Sequence, residues 1–236
     1  MNNEIKAIEQ IKAKKDLKII FLSLLIPVIL YVIFEGSIMD FVKTSSLNVW
    51  IKCLPIILIQ FGMSGLGILI VIFYRKEKLK EYGLIRKNFF KTLLFSFLVC
   101  IPHFVYLLLN GKVNSYFPLQ GSIVTRMFIA SEFQTNILGY ILCVIIWGFL
   151  EGLFYPVVSN KINTVHPYKN KLLNYGAIVC GIICILIHGM IGFDLNTIFE
   201  AATTFILVYG MLIIKEETGN AWGCILILVL FWNAFR

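Results

Sequence analysis

Apolar residues run along this chain in long blocks, and the charged residues gather between them. Seven stretches are hydrophobic over a length near that of a membrane crossing: 17–34, 47–73, 89–109, 137–158, 172–193, 197–214 and 221–235. A spanning helix needs about 20 such residues, because every backbone N–H and C=O must be satisfied inside the segment. The pattern therefore predicts an all-α, polytopic transmembrane helix bundle of about seven spans. The second stretch is long enough to tilt or break at Gly62, Gly65 and Gly67, and the last two stretches are short. The longest connection, 110–136, carries Ser115-Tyr116-Phe117-Pro118 and then an amphipathic run over 122–133. That run predicts an interfacial helix, an eighth element that does not span. The opening segment, 1–18, is charged and amphipathic and has no small-residue cleavage site after the first apolar run. It is expected to be retained, lying along anionic lipid on the cytoplasmic face. With no repeat, low-complexity tract or linker, 1–236 reads as one integral membrane domain.

Composition sharpens this picture. Of 236 residues, 59% are hydrophobic and only 14% charged, with a mean hydropathy of +0.86. Soluble domains are about 45–50% apolar and about 25% charged, so a soluble enzyme, a nucleic-acid-binding domain and a disordered chain are excluded. The net charge of +8 needs no nucleic-acid partner to explain it. Assigning the connections to alternate sides places sixteen Lys and Arg on one side and four on the other, with Lys52 inside a span completing the 21. By the positive-inside rule the N-terminus is expected in the cytoplasm and, after seven spans, the C-terminus outside. The six cysteines all fall in apolar stretches with no C-x-x-C pair, which favours small buried hydrophobes over a disulfide framework or a thiolate metal site.

Ionisable groups inside spans cost roughly 2.5–3.5 kcal/mol on insertion scales, so each is a candidate for function. Glu151 lies deep in the fourth stretch and His188 in the fifth; His103 follows Pro102 in the third, and Glu200 opens the sixth. Lys52 is close enough to the end of its stretch to snorkel. Glu200 reads either as a solvated cap or as a functional group. His103 reads either as a core histidine beside a proline-freed carbonyl or as a catalytic group. Gly148 and Gly152 flank Glu151, leaving room for water or for a close backbone. A buried carboxylate that hydrogen-bonds water can act as general base towards a carbonyl, while a nearby imidazole orients the water or holds the oxyanion. The same pair would also serve as a proton relay or as two metal ligands. No H-E-x-x-H, nucleophile elbow, P-loop or dinucleotide fingerprint is present, so no metal or other cofactor is expected.

Glu151 in GFLEGLFYPV, His188 on the next apolar stretch and Thr218-Gly219-Asn220-Ala221-Trp222 opening the last one together resemble the CPBP family. This is the group of CAAX prenyl endopeptidases and bacteriocin-processing or immunity proteins, also called Abi. The resemblance covers about 137–236. Its members are helix bundles with three intramembrane motifs: E-E-x-x-x-R, then F-x-x-x-H, then H-x-x-x-N after a T-G-S-L-W-like entry. Aligned on Gly148, Phe149 and Glu151, Glu151 takes the place of the first glutamate, Gly152 of the second and Pro156 of the arginine. A frame shifted by one makes Glu151 the second glutamate, with Leu150 first and Tyr155 for the arginine. His188 matches the second-motif histidine, with Cys184 for its phenylalanine. The third-motif histidine falls on Leu228, and Asn233 lies one residue beyond the expected asparagine.

The resemblance implies a glutamic-type intramembrane endopeptidase of a prokaryotic cell membrane. Glu151 would activate water and His188 would orient it or bind the oxyanion, with His103, Asn233 and Glu200 as auxiliary groups. The substrate would be a peptide or C-terminal protein tail, with or without a lipid, reaching the site from the membrane. The alternative is a catalytically impaired member acting in bacteriocin self-immunity or as a scaffold, for which the loss at Leu228 speaks. Either shared site sets a geometric condition. Counted from the outer ends of their stretches, Glu151 and His188 differ in depth by about 13 Å at 1.5 Å per residue. They meet only if span four begins near 131, or if span five tilts or breaks at Gly189 or Gly192.

Overall fold

No glycine interrupts residues 2–35 and the single proline there is Pro27, so the charged opening segment and the first apolar stretch join into one helix. This is α1 (Asn2–Thr44), with Glu4 in its first turn and Lys43 in its last, each favourable to the helix dipole. The computed structural model that shows this describes residues 2–236. The protein is 78% helical, with no strand among the described residues.

Five helical segments are long and apolar enough to cross a membrane, which makes this a multi-pass membrane protein. The first is α1. The second is α2 (Val49–Phe61), continued through a π-helical turn at Gly62–Leu66 into α3 (Gly67–Arg75). The third is α4 (Phe89–Leu109). After a short helix, α5 (Ile123–Ile129), where an interfacial helix was expected, comes α6 (Phe133–Cys143). It runs through a second π segment, Val144–Leu150, into α7 (Glu151–Val165). The fifth crossing is α9 (Leu195–Thr218).

The other two apolar stretches form shorter helices. α8 (Tyr175–Ile187) has 13 residues and is therefore about 20 Å long. It stops because the chain turns at Gly189, whose φ of +65° costs glycine less than any residue with a side chain. The Asp194 side chain then accepts from the Thr197 N–H and starts α9. α10 (Trp222–Leu230) has 9 residues. Beyond it the chain turns through 231–233 and then pairs with the 114–121 connection. Asn114 and Ser115 donate to the Arg236 carbonyl, Phe117 to that of Ala234 and Gly121 to that of Asn233.

α7 forms the hub of the larger core cluster, where Leu153, Val157 and Val158 are wholly buried among side chains of α1, α3, α8, α9 and α10. Close helix approach depends on residues without side chains. A Cβ on Gly67 would lie 2.0 Å from Ser23 Oγ and 2.8 Å from the Ile20 Cα of α1. One on Gly152 would lie 2.6 Å from the Ile225 Cα of α10.

Two polar arrangements fix one end of the bundle. Asp16 of α1 is buried and paired with Arg75 at 2.8 Å and with Lys161 of α7 at 2.9 Å. Lys161 also pairs with Glu77, which accepts from the Tyr82 hydroxyl. The TGNAW entry to α10 is an anchor as well. The fully buried Asn220 donates through Nδ2 to the carbonyls of Ile85 and Lys87, and Ala221 donates to Gly83. These bonds gather the start of α1, the 76–88 connection, and the approaches to α8 and α10 at one end. The 110–121 connection and the segment 231–236 lie at the other.

Candidate active site

Both π-helical turns border the same place. Gln60 precedes the turn of the second crossing, and Glu151 follows the segment of the fourth. The two irregular stretches pack together, a Cβ on Gly65 falling 2.7 Å from Leu150 Cδ1. A π-turn leaves carbonyls without their usual partners and is frequent at functional sites; here Ser64 Oγ donates to the Gln60 carbonyl at 2.9 Å. The widened turns aim two polar side chains at each other. Gln60 Nε2 donates to Glu151 Oε2 at 2.8 Å.

The other carboxylate oxygen faces His188. Glu151 Oε1 and His188 Nε2 are 3.8 Å apart, too far for a hydrogen bond. The gap is wide enough for one water to hydrogen-bond to both. The meeting satisfies the depth condition from both sides: the fourth crossing begins at Phe133, and α8 ends at Ile187 just before the turn at Gly189. His188 caps that broken end, its ring edge-on to Trp232 with centroids 5.2 Å apart. Glu151 is 7% exposed, and the side chain of His188 is 29% exposed.

The pair lines a cavity of about 260 Å³ together with Gln60, Tyr155, Tyr31 of α1 and Asn233. Asn233 has a φ of +56°, a left-handed conformation that asparagine tolerates better than most residues. Its carbonyl is held by the Gly121 N–H at 2.8 Å.

The remaining candidates lie apart from Glu151. His103 is 6% exposed and sits behind the Trp232 indole, 5.4 Å between centroids, with Nδ1 3.1 Å from Thr203 Oγ1. It borders a second cavity of about 520 Å³, which shares only its His188 and Asn233 wall with the first. An indole that the spacing of the sequence could not foresee thus separates His103 from Glu151. Glu200, in the second turn of α9, accepts from the Tyr106 hydroxyl at 3.0 Å and lies 3.4 Å from Lys112 Nζ, also on the second cavity.

Two positions at which the chain differs from the motifs it resembles have packing reasons. Gly152 lies against the α10 backbone, where no glutamate fits. Leu228 is 3% exposed inside the apolar core and borders neither cavity. Gln60 is the one residue of the site that reading for ionisable groups passes over. It is the single amide side chain in 49–75, and that isolation was its signal.

Compared with known proteins, the chain matches no family model, no curated protein and no solved structure.

Proposed function

We propose that this protein is a CPBP-like intramembrane endopeptidase that hydrolyses peptide bonds with a water activated by Glu151. The observation that carries the reading is the Glu151–His188 pair, 3.8 Å apart in a small, mostly apolar cavity with Gln60 fixing one carboxylate oxygen. Glu151 takes a proton from the water as its oxygen bonds to the substrate carbonyl carbon. His188, with the Asn233 amide on the same cavity, holds the oxyanion of the tetrahedral intermediate. Its collapse breaks the C–N bond, and the proton held by Glu151 passes to the leaving amine. The substrate is a peptide or C-terminal tail, with or without a lipid, entering from the bilayer; no cofactor takes part.

Purified protein in liposomes, incubated with membrane-embedded peptides in heavy-oxygen water, is expected to yield fragments carrying one heavy oxygen in the new carboxylate. Intact peptides across a broad set of tails would overturn the reading. Such a result would favour the second one, a catalytically silent member of bacteriocin self-immunity type. The absence of room at Gly152 and the buried Leu228 support that alternative.

The proposed orientation places the N-terminus in the cytoplasm, because the Lys- and Arg-rich segments share the end of the bundle that holds Asp16 and Gly83; the prokaryotic cell is what the family resemblance implies. A cysteine substituted for Lys80 is expected to resist an impermeant thiol reagent on intact cells and to react after lysis. Labelling of intact cells would reverse the orientation.

A further inference from the structure

The larger cavity lies beyond the Trp232 indole and is not needed for the chemistry at Glu151. Its volume is about 520 Å³. Leu107, Met190, Phe231 and Phe235 give it an apolar body. Lys112 and Arg236 stand on its wall with Glu200 as the only acidic side chain. Lys112 is already engaged by Glu200 at 3.4 Å, while no ion pair holds Arg236 among the described residues. A second, independent observation concerns the floor. Trp232 is 6% exposed, and its indole Nε1 is buried with no hydrogen-bond partner. A buried donor left unpaired costs about 1–3 kcal/mol, and Trp232 lines this cavity.

We infer that this chamber is a binding site for a carboxylate carried on an apolar body, either the C-terminus of a hydrophobic peptide or a free fatty acid. The guanidinium of Arg236 offers the two-pronged donor geometry that carboxylates accept, and the aromatic and aliphatic wall covers the chain behind the charge. The volume is too small for the body of a two-tailed lipid. The site does not rest on the endopeptidase reading, since none of Lys112, Arg236 and Glu200 borders the cavity of Glu151.

The test is calorimetric titration of the full chain in neutral detergent with N-acetyl-Phe-Leu as free acid and as amide, and with octanoate and octanol. At least one acid is expected to bind about tenfold or more tightly than its neutral counterpart, and the acid that does so names the source. The doubly substituted Lys112→Gln, Arg236→Gln protein should lose that difference while unfolding at the wild-type temperature, since both side chains are at the surface. Glu151→Gln should keep the difference, which separates failure of this site from failure of the proposed catalysis. Equal binding of acid and neutral forms, or discrimination that survives the double substitution, would overturn the inference. So would displacement of the bound acid by dioctanoyl phosphatidylglycerol at equal concentration, which would assign the charge to a lipid headgroup.

Discussion

Replacing Glu151 by glutamine is expected to reduce peptide cleavage to background while leaving the folded protein almost unchanged. The amide has the size of the carboxylate, and its oxygen can still accept from Gln60 Nε2, the contact that Glu151 Oε2 makes at 2.8 Å. What it cannot do is take a proton from water, and a general base contributes about 10²–10⁴ in rate. The charge that aligns the attacking water with His188, 3.8 Å from the other oxygen, is lost as well. Rates measured in liposomes at matched protein levels, beside thermal unfolding in detergent, check this. Cleavage retained within a few-fold of wild type would remove Glu151 from the mechanism and leave the fold as described.

The largest expected loss of stability lies elsewhere, at Lys161→Met. Lys161 is the cation between Asp16 and Glu77, and the side chain of Asp16 is 2% exposed. Removing it leaves two carboxylates against the single guanidinium of Arg75. Breaking one partner out of a buried ionic cluster costs about 3–5 kcal/mol, whereas removing both partners of a pair together is often close to neutral. Lys161→Met alone should therefore unfold well below the wild-type temperature, and the combined Asp16→Asn, Lys161→Met protein should recover much of the difference. Equal unfolding temperatures for wild type and the single variant would show that the cluster does not hold α1 to α7.

The all-helical membrane architecture was legible in the sequence because lipid leaves a chain few options; the apolar blocks locate the helices but not their ends, α1 (Asn2–Thr44) running well past its block on both sides. At the end of α7 a partner elsewhere in the chain carries the helix past its block. α7 continues to Val165 because Lys161, which reads as a loop charge, finds Asp16 some 145 residues away. Such pairing leaves no local trace. Glu151 and His188 stood out because ionisable side chains are rare and costly in apolar blocks. Gln60 did not stand out, because a neutral amide barely disturbs hydropathy. The wall between His103 and Glu151 was invisible for a different reason. It is made by Trp232, whose place depends on α10 ending at Leu230 and on the turn and backbone pairing that follow. Gly148 and Gly152 were ambiguous between room for water and room for backbone; α10 fills the space at both, Val229 lying against the first and Ile225 against the second.

The shortness of α8 has a consequence for the lipid itself. A helix of about 20 Å cannot match a hydrocarbon layer of about 30 Å, yet Ile182 and Leu186 of α8 face outward, 46% and 56% exposed. Acyl chains on that flank are expected to compress or tilt, drawing the headgroup region towards the broken helix end that carries His188. The deformed bilayer brings water close to a residue that lies near the middle of the chain's fourth crossing. Membrane thickness thus becomes a control on the hydration of the site, with no change in the protein at all.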